Sequence, residues 1–410
     1  MWRSLLVFIF MSQSLDLWAH VEPEAVINAP VAAAESGDAS PFAPVTFGDG
    51  IEFHTPSRNF RMNLRFRMQN RADFNLVDSS LAEDPRHEFD WAVRRLRLRM
   101  NGTVYSPRLQ YLIQLSFSRS DQDWDVSGAP NVIRDALILY QLSNNWKIAF
   151  GQGKLPGNRQ RIISSGDQQF VDRSIVNGAF NIDRDFGLQA QWQTKSERNV
   201  LRWQGAISSG MGRNRSVEPD HRLFYVSKFE WLPRGAFSRN GDYFESDLAF
   251  EPNWRLSLSA TSAFLDGAAR NNGTVGPYFT QTGALDGALE RRSPWVHYLD
   301  ALIKWQGHSL YLEWVIRQLD NPIVNPQQAF LVGQGYNFQF GKMLTSNTEL
   351  VLRHSAILPK GEVVGFHPRL RQWIVGGNYF LDGHRVKLQA NLGRTEGVDS
   401  FFRLQMELGI

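Results

Sequence analysis

Residues 60–71 read FRMNLRFRMQNR, and apolar and polar side chains alternate along this stretch from Phe60 to Gln69. Large apolar residues take the even positions up to Met68, whereas Arg, Asn or Gln takes the odd positions. Because successive side chains of a strand point to opposite faces, an alternation of period two predicts a β-strand with two chemically different faces. The stretch therefore predicts a sheet, and the next question is which face meets water.

The same alternation recurs along the chain and gives the fold class. It is clear in residues 108–118, 186–193 and 386–392, and again in the closing residues 402–410. The pattern predicts an all-β protein: a transmembrane antiparallel β-barrel of about sixteen strands. The predicted strands begin near residues 58, 89, 108, 131, 145, 184, 199, 222, 254, 295, 308, 330, 347, 370, 385 and 402.

The distribution of residue types distinguishes a membrane barrel from a soluble β-sandwich. The polar face is rich in Arg, Lys, Gln and Asn, and Trp, Tyr and Phe gather near the strand ends of the apolar face. A barrel in a bilayer turns its apolar face outward to lipid and lines water with its polar face. Because residues 402–410 alternate to the last position, we expect a final strand that closes the sheet and leaves no open edge in lipid.

The connections are predicted to alternate in length, with short periplasmic turns and longer outer loops. Turn signals lie near residues 106, 144, 306, 345 and 382, the last of which is Asp-Gly. The third surface loop, Leu155–Asp183, is the longest irregular stretch after a predicted upward strand, and we expect it to fold into the pore. Residues 234–252 are too long for a usual periplasmic turn, and the alternation does not set the strand register across them.

Composition excludes several function classes. The chain has 410 residues, a formal charge of +3 and no cysteine. A charge this small does not suggest a nucleic-acid partner, and without cysteine there is no disulfide scaffold or thiolate metal site. The glycines at 151 and 153 follow a strand but open no helix, so a phosphate-cradling loop is not expected. We expect no cofactor and no metal.

The N-terminal residues predict export. Residues 1–19 combine one early arginine with a short apolar run, which is typical of a signal peptide and is about half of the ~20 residues that a spanning helix needs. Residues 20–46 are rich in Ala, Pro and Glu and predict an irregular periplasmic linker. Residues 47–410 then form the barrel, in the outer membrane of a Gram-negative-type cell.

Arginine is concentrated on the polar face of the first two predicted strands. Neighbouring antiparallel strands stand about 4.8 Å apart, so these side chains are expected to form a basic strip along the lumen. Rings of Arg or Lys are the usual construction of anion pores, and guanidinium groups hold phosphate or carboxylate bidentately. The alternative is a solvated face without selectivity. The strip comprises Arg61, Arg65, Arg67, Arg71, Arg95, Arg97 and Arg99.

The third loop adds charges of both signs. Its cations complete the predicted anion pathway, and opposite charges across a narrow passage would order a moving solute. Equally, acids of the loop can serve to hold its shape, for instance Asp172 by pairing with Arg173 or Arg184. The pathway cations here are Lys154, Arg159, Arg161 and Arg173; the acids in and beside the loop are Asp167, Asp172, Asp183 and Asp185.

Several of these stretches together resemble the phosphate-selective porin O and P family, which includes the polyphosphate-selective porins. They run in order within residues 47–410. The resemblance implies a sixteen-stranded, trimeric outer-membrane channel for anions, with Lys154 matching the lysine of the family's Gly-x-x-Lys-x-Pro segment. The stretches are residues 60–69, the arginine-rich second strand, residues 150–156 (FGQGKLP), 169–174 (QFVDRS), 184–187 (RDFG) and 378–384 (NYFLDGH).

The sequence thus predicts a passive, anion-preferring porin whose partners are small anions such as phosphate and polyphosphate, the lipid bilayer and two further copies of itself. A general diffusion pore with little selectivity is the first alternative. A barrel enzyme of the phospholipase kind or an adhesin is less favoured. The neighbours His354 and Ser355 cannot act together as a catalytic pair because they point to opposite faces of a strand.

Overall fold

The chain forms a closed β-barrel of sixteen antiparallel strands. The computed structural model describes residues 45–48, 50–77, 86–124, 130–214, 222–276, 278–279 and 289–410. The predicted signal peptide (1–19) and almost all of the predicted linker (20–46) lie outside these residues and stay predictions. The barrel strands are β1 (Phe60–Val77), β2 (Arg86–Val104), β3 (Ser106–Ser116), β4 (Ile133–Gln141), β5 (Trp146–Lys154), β6 (Arg184–Gln193), β7 (Val200–Ser208), β8 (Phe224–Leu232), β9 (Arg255–Leu265), β10 (Trp295–Trp305), β11 (His308–Gln318), β12 (Gly333–Met343), β13 (Thr348–Pro359), β14 (Leu370–Asp382), β15 (Val386–Thr395) and β16 (Asp399–Gly409).

The predicted strands agree closely with the observed ones. The number is sixteen in both, and each observed strand begins within three residues of its predicted start. The alternation is strong enough to fix the strands because one face must meet lipid and the other water. The fold class is therefore confirmed.

The barrel closes between its first and last strands. β16 pairs with β1 from Asp399 opposite Val77 to Gly409 opposite Arg67. The N-terminal part of β1 pairs with a short hairpin of two strands, Val45–Gly48 and Gly50–His54. Ile51 of this hairpin lies opposite Leu64 of β1. Every barrel strand is thus paired on both sides, as a sheet edge in lipid requires.

The two ends of the barrel differ in their connections. At one end, here the turn end, most links are short, such as the Gln306-Gly307 turn, where both φ angles are positive (45° and 79°) and the glycine adopts this geometry without steric cost. The exception is residues 233–254, which carry a 3₁₀-helix at Ser238–Tyr243. At the other end, the loop end, most links are longer, and the third is residues 155–183.

Side chains of the last strand show how the two faces divide. Phe402, Leu404 and Met406 are exposed on the outside, whereas Gln405 and Glu407 are fully buried inside. The polar side chains of this strand are therefore enclosed inside the barrel. Among the described residues, no helix is long and apolar enough to cross a membrane.

Short elements lie within the connections. Two α-helices occur in the third loop: α1 (Arg159–Ile162) and α2 (Ile175–Phe180). Further 3₁₀-helices occupy Arg119–Asp121 and Gly361–Gly365, and small hairpins join Asp123–Trp124 to Pro130–Asn131 and Ile323–Asn325 to Gln328–Ala329.

Replacing Leu404, the middle residue of β16, tests the lipid-facing assignment. We expect Leu404→Arg to lower the free energy of unfolding by about 2–4 kcal/mol, because a charge at mid-bilayer loses its hydration. Urea unfolding in lipid vesicles measures this change, with Leu404→Ile as the control. An arginine variant as stable as the isoleucine variant would show that the site does not face lipid.

Candidate functional site

The third loop folds into the barrel, as its length and position predict. Its helix α2 packs Val176 and Phe180 into an apolar cluster with wall residues that include Tyr298 and Val315. Gly335 on β12 makes room for this helix, because a Cβ atom there would lie 2.9 Å from Val176 and 3.1 Å from Phe180. The loop is therefore a packed part of the lumen.

Arg159 of α1 fixes the start of the loop to the opposite wall. Its guanidinium donates to Asp300 at 2.5 Å and to Glu230 at 2.6 Å, and the side chain is 1% exposed. It also donates to the hydroxyl of Ser257 at 2.7 Å. Two buried carboxylates surround one buried cation, so the placement of Arg159 gives it a structural part in holding the loop.

The other predicted cations of the third loop make hydrogen bonds or ion pairs within the loop or beside it. Arg173 donates to the carbonyls of Gln160 and Ile163, each at 2.8 Å. Lys154 donates to the carbonyl of Ile162 at 2.8 Å, and Arg161 pairs with Asp183. These bonds close the turns of the loop around its own backbone.

Asp172 pairs differently from the sequence-based expectation. Its carboxylate accepts from Arg71 at 2.8 Å and from Arg403 at 3.0 Å, both on the barrel wall, and not from Arg173 or Arg184. Burial opposes ionisation, but the two arginines outweigh it and hold the pKa of Asp172 below its usual range. The acid therefore ties the loop to the basic wall. Arg184 pairs instead with Asp135, at 2.8 Å.

The arginines of β1 and β2 face one another across the two strands. Arg65 lies opposite Arg99, Arg67 opposite Arg97, and Gln69 opposite Arg95. Cα partners in such a pair stand about 4.5–5.5 Å apart, so cationic side chains are held close together. This proximity is unfavourable unless acids or a bound anion offset it.

Acids and hydroxyls offset part of this charge. Arg67 donates to Ser164 at 2.5 Å and pairs with Glu407 at 3.1 Å. Arg97 binds Asp121 with two hydrogen bonds, at 2.6 and 2.9 Å.

Three further arginines of the predicted strip also have partners on the barrel wall or on the hairpin that covers β1. Arg61 pairs with Glu52 at 2.7 Å, Arg71 pairs with Asp73 at 2.6 Å, and the buried Arg95 donates to Gln69 at 2.7 Å. The strip is therefore built into ion pairs along much of its length.

A water-accessible cavity of about 440 Å³ lies between the arginine-bearing wall and the third loop. It occupies the half of the barrel nearer the turn end, since the 383–385 turn lines it. Of the predicted pathway residues it is lined by Arg65, Arg67, Arg97 and Arg99. Lys154 lines a second cavity of about 110 Å³, to which Arg99 also contributes.

Sequence reasoning missed the far side of the larger cavity. Residues 238–251 of the long turn-end segment line it, together with Lys304 on β10 and Arg385. Among the residues that the structure describes, its lining holds seven Arg or Lys residues and four Asp or Glu residues, so cations outnumber acids. The available signal was the unusual length of the segment, which the sequence shows but does not explain. Within the described ranges, no group of three His, Asp or Glu residues is arranged to hold a metal ion.

A closed sixteen-stranded barrel with a polar lumen and an inward third loop is the architecture of an outer-membrane porin. The family model described as phosphate-selective porin O and P matches residues 62–228, which confirms the resemblance over that part of the chain. No curated protein sequence matches the chain. The chain is an outer-membrane β-barrel, and its family match and fold indicate a channel rather than an enzyme.

Solved structures support the same fold. The chain is similar to the outer membrane channel DcaP of Acinetobacter baumannii, with a TM-score of 0.53 and 14% identity over 87% of this chain and 99% of that one. It is similar to an anion-selective porin from Comamonas acidovorans, with a TM-score of 0.51 and 11% identity over 85% and 99%. It is also similar to a loop-deletion mutant of OmpT from Vibrio cholerae, with a TM-score of 0.52 and 10% identity over 86% of this chain and 100% of that one. At such low identity the likeness concerns the fold alone.

Replacing Arg159 tests the anchoring of the third loop. We expect Arg159→Met to destabilise the loop by about 3–5 kcal/mol, because Asp300 loses the cation it pairs with while it stays buried, and Glu230 keeps its pair with Arg202 alone. Trypsin should then cut after Arg161 and Arg173, and single-channel conductance should rise. Arg369→Met, at an exposed position, is the control. A variant with wild-type conductance and no new cleavage would contradict the anchoring role.

The cavity acid Asp167 gives a pH dependence. Burial raises the pKa of Asp167 and outweighs Arg67, whose guanidinium lies 3.9 Å away. Protonation as the pH falls towards this raised pKa removes a negative charge from the cavity wall. We therefore expect the chloride-to-potassium permeability ratio to increase from pH 7 to pH 4.

Asp167→Asn is the matched variant for this titration. It should show the higher ratio already at pH 7 and a flatter pH profile, since it carries no titratable group at that position. Reversal potentials in a salt gradient measure both proteins. A variant that keeps the full pH response would assign the titration to another group.

Proposed function

We propose that this protein is a passive channel that prefers small anions, with phosphate and polyphosphate among its solutes. The observation that carries the proposal is the cavity beside Arg65 and Arg99, where the described lining has seven cationic residues and four acids. Guanidinium groups replace part of the hydration shell of an oxyanion through charge-assisted hydrogen bonds. Passage also requires that this binding be weak enough for release.

The proposed pathway uses the predicted cations in two ways. Arg65, Arg67, Arg97 and Arg99 line the larger cavity and Lys154 the smaller one, which supports a direct role in solute passage. For the buried or paired Arg61, Arg71, Arg95, Arg159, Arg161 and Arg173, the contacts support a role in shaping the passage and its field. The solute would move down its gradient past the first group.

A general diffusion pore is the second candidate, and the ion pairs favour it. Glu407 and Asp121 neutralise part of the charge of Arg67 and Arg97, which reduces the net field on a passing ion. Such a channel would have only a mild anion preference.

We also propose a homotrimer, as the family resemblance implies, and export by the N-terminal 19 residues. A solved Vibrio cholerae OmpT of the same fold is described as a trimer form. Native mass spectrometry of the detergent-extracted protein would give the number of subunits.

Planar-bilayer recording of the refolded protein tests anion preference. We expect the wild-type reversal potential in a KCl gradient to show chloride preference, and phosphate to block the chloride current. In the double variant Arg65→Gln/Arg99→Gln, the half-blocking phosphate concentration should rise roughly tenfold or more, because a charge-assisted hydrogen bond contributes about 1.5–3 kcal/mol.

Arg198→Gln, in an exposed turn outside the cavity, is the matched control and should behave as wild type. Weak selectivity that phosphate and the double variant leave unchanged would favour the general pore. Absence of conductance in a folded protein would reopen the enzyme and adhesin alternatives.

A further inference from the structure

Residues 233–254, here the inner turn, fold into the lumen from the turn end and meet the third loop there. The backbone N–H of Glu245 donates to the carbonyl of Asp167 at 2.9 Å, and its carboxylate accepts from the N–H of Gln169 at 2.8 Å. The same carboxylate accepts from the side chain of Gln339 on β12 at 2.8 Å. The inner turn and the third loop are therefore one hydrogen-bonded unit.

The barrel wall also holds the inner turn in place. Lys304 of β10 is buried and donates to the carbonyls of Gly241 and Ser246, at 2.6 and 2.7 Å. The N–H of Gly307 donates to Asp247 at 2.8 Å. The backbone N–H of Ser238 donates to the carboxylate of Glu251 at 2.5 Å. The tip between Ser238 and Gly241 is thus bound at both ends.

At this tip, two consecutive non-glycine residues adopt the left-handed conformation. Arg239 has φ 53° and ψ 39°, and Asn240 has φ 57° and ψ 31°. This region is unfavourable for residues with a Cβ atom, and such strain persists only where the surrounding structure imposes it, often at functional sites. The hydrogen bonds of Ser238 and Gly241 impose it here.

The strained tip presents Arg239 to the cavity. Its side chain is exposed and lines the cavity together with Arg65 and Arg99 of the opposite wall. In the part of the chain that the structure describes, Arg239 makes no hydrogen bond or ion pair, unlike Arg67 and Arg97. An unpaired guanidinium that faces other cations across water is a place for an anion.

We propose that Arg239 is a specificity-determining residue that binds an oxyanion of the phosphate class from the side opposite the arginine wall. The inference rests on the proposed anion channel and adds a second contact at the turn end. The cavity lies in the half of the barrel nearer the turn end, so an anion that enters from this end reaches the space between Arg239 and the wall residues Arg65 and Arg99 directly. The two sides of the membrane should therefore differ in how readily phosphate blocks the current.

Recording from single inserted channels, with inorganic phosphate added to one side and then to the other, tests the inference. We expect wild-type block to be stronger from one side, and Arg239→Gln to raise the half-blocking concentration about tenfold on that side. Arg239→Lys should keep most of the block because it keeps the charge.

Two controls separate charge from structure. Arg234→Gln removes an exposed arginine of the same inner turn that stacks on Trp254 outside the cavity lining, and it should behave as wild type. Asn240→Gly relieves the left-handed strain at position 240 alone and keeps Arg239, so block should persist. Should Arg239→Gln fail to fold, Arg239→Gly removes the charge without the strain and gives the same readout.

The outcomes distinguish this inference from the proposed function. Phosphate block that is sided in wild type and lost in Arg239→Gln supports both. Wild-type block that Arg239→Gln retains from both sides overturns the role of Arg239 and leaves the anion channel intact. A wild type without anion preference or phosphate block overturns the proposed function and this inference with it.

Discussion

The structure depends on one constraint: a backbone N–H or C=O group in lipid must find its hydrogen-bond partner within the protein. A sheet meets this constraint only when it closes, so β16 pairs with β1 and the hairpin at residues 45–54 covers the part of β1 that β16 does not reach. Closure then sets the chemistry of the two faces. Apolar side chains turn outward, and the polar set, with its many arginines, is confined to the lumen.

The confinement of charged side chains to the lumen explains why the third loop and the inner turn fold into it. A buried guanidinium needs acids and carbonyls, and the third loop and the inner turn supply many of them. Arg159 of the loop pairs with Glu230 and Asp300 on one wall. Asp172 of the loop pairs with Arg71 and Arg403 on the other wall. The cavity that remains between the loop, the inner turn and the wall is lined by Arg65, Arg99 and Arg239. The same ion pairs that position the loop thus help to decide where this cavity lies.

The sequence is sufficient to predict the barrel, because an alternation of period two over sixteen segments is a local pattern and leaves little freedom in strand position. It is also sufficient to predict that the third loop folds inward and that arginines of β1 and β2 lie side by side. It does not predict the partners of those arginines. Arg159 and Asp300 are 141 residues apart, and their contact arises from the way the loop crosses the lumen. No sequence pattern predicts the exposure of Arg239 to the cavity, because this exposure follows from the hydrogen bonds of Ser238 and Gly241.

The closing pair of strands has a consequence for how the barrel forms. Gln69 on β1 and Glu407 on β16 are hydrogen-bonded side chains 338 residues apart, so their contact forms only when the two ends of the barrel meet. Loop-closure entropy makes such a contact the slowest to gain, and local hairpins can form well before it. Until that moment β1 keeps an exposed edge, part of which the neighbouring hairpin strands Val45–Gly48 and Gly50–His54 can shield. The lifetime of the open sheet is therefore set by the meeting of its two ends.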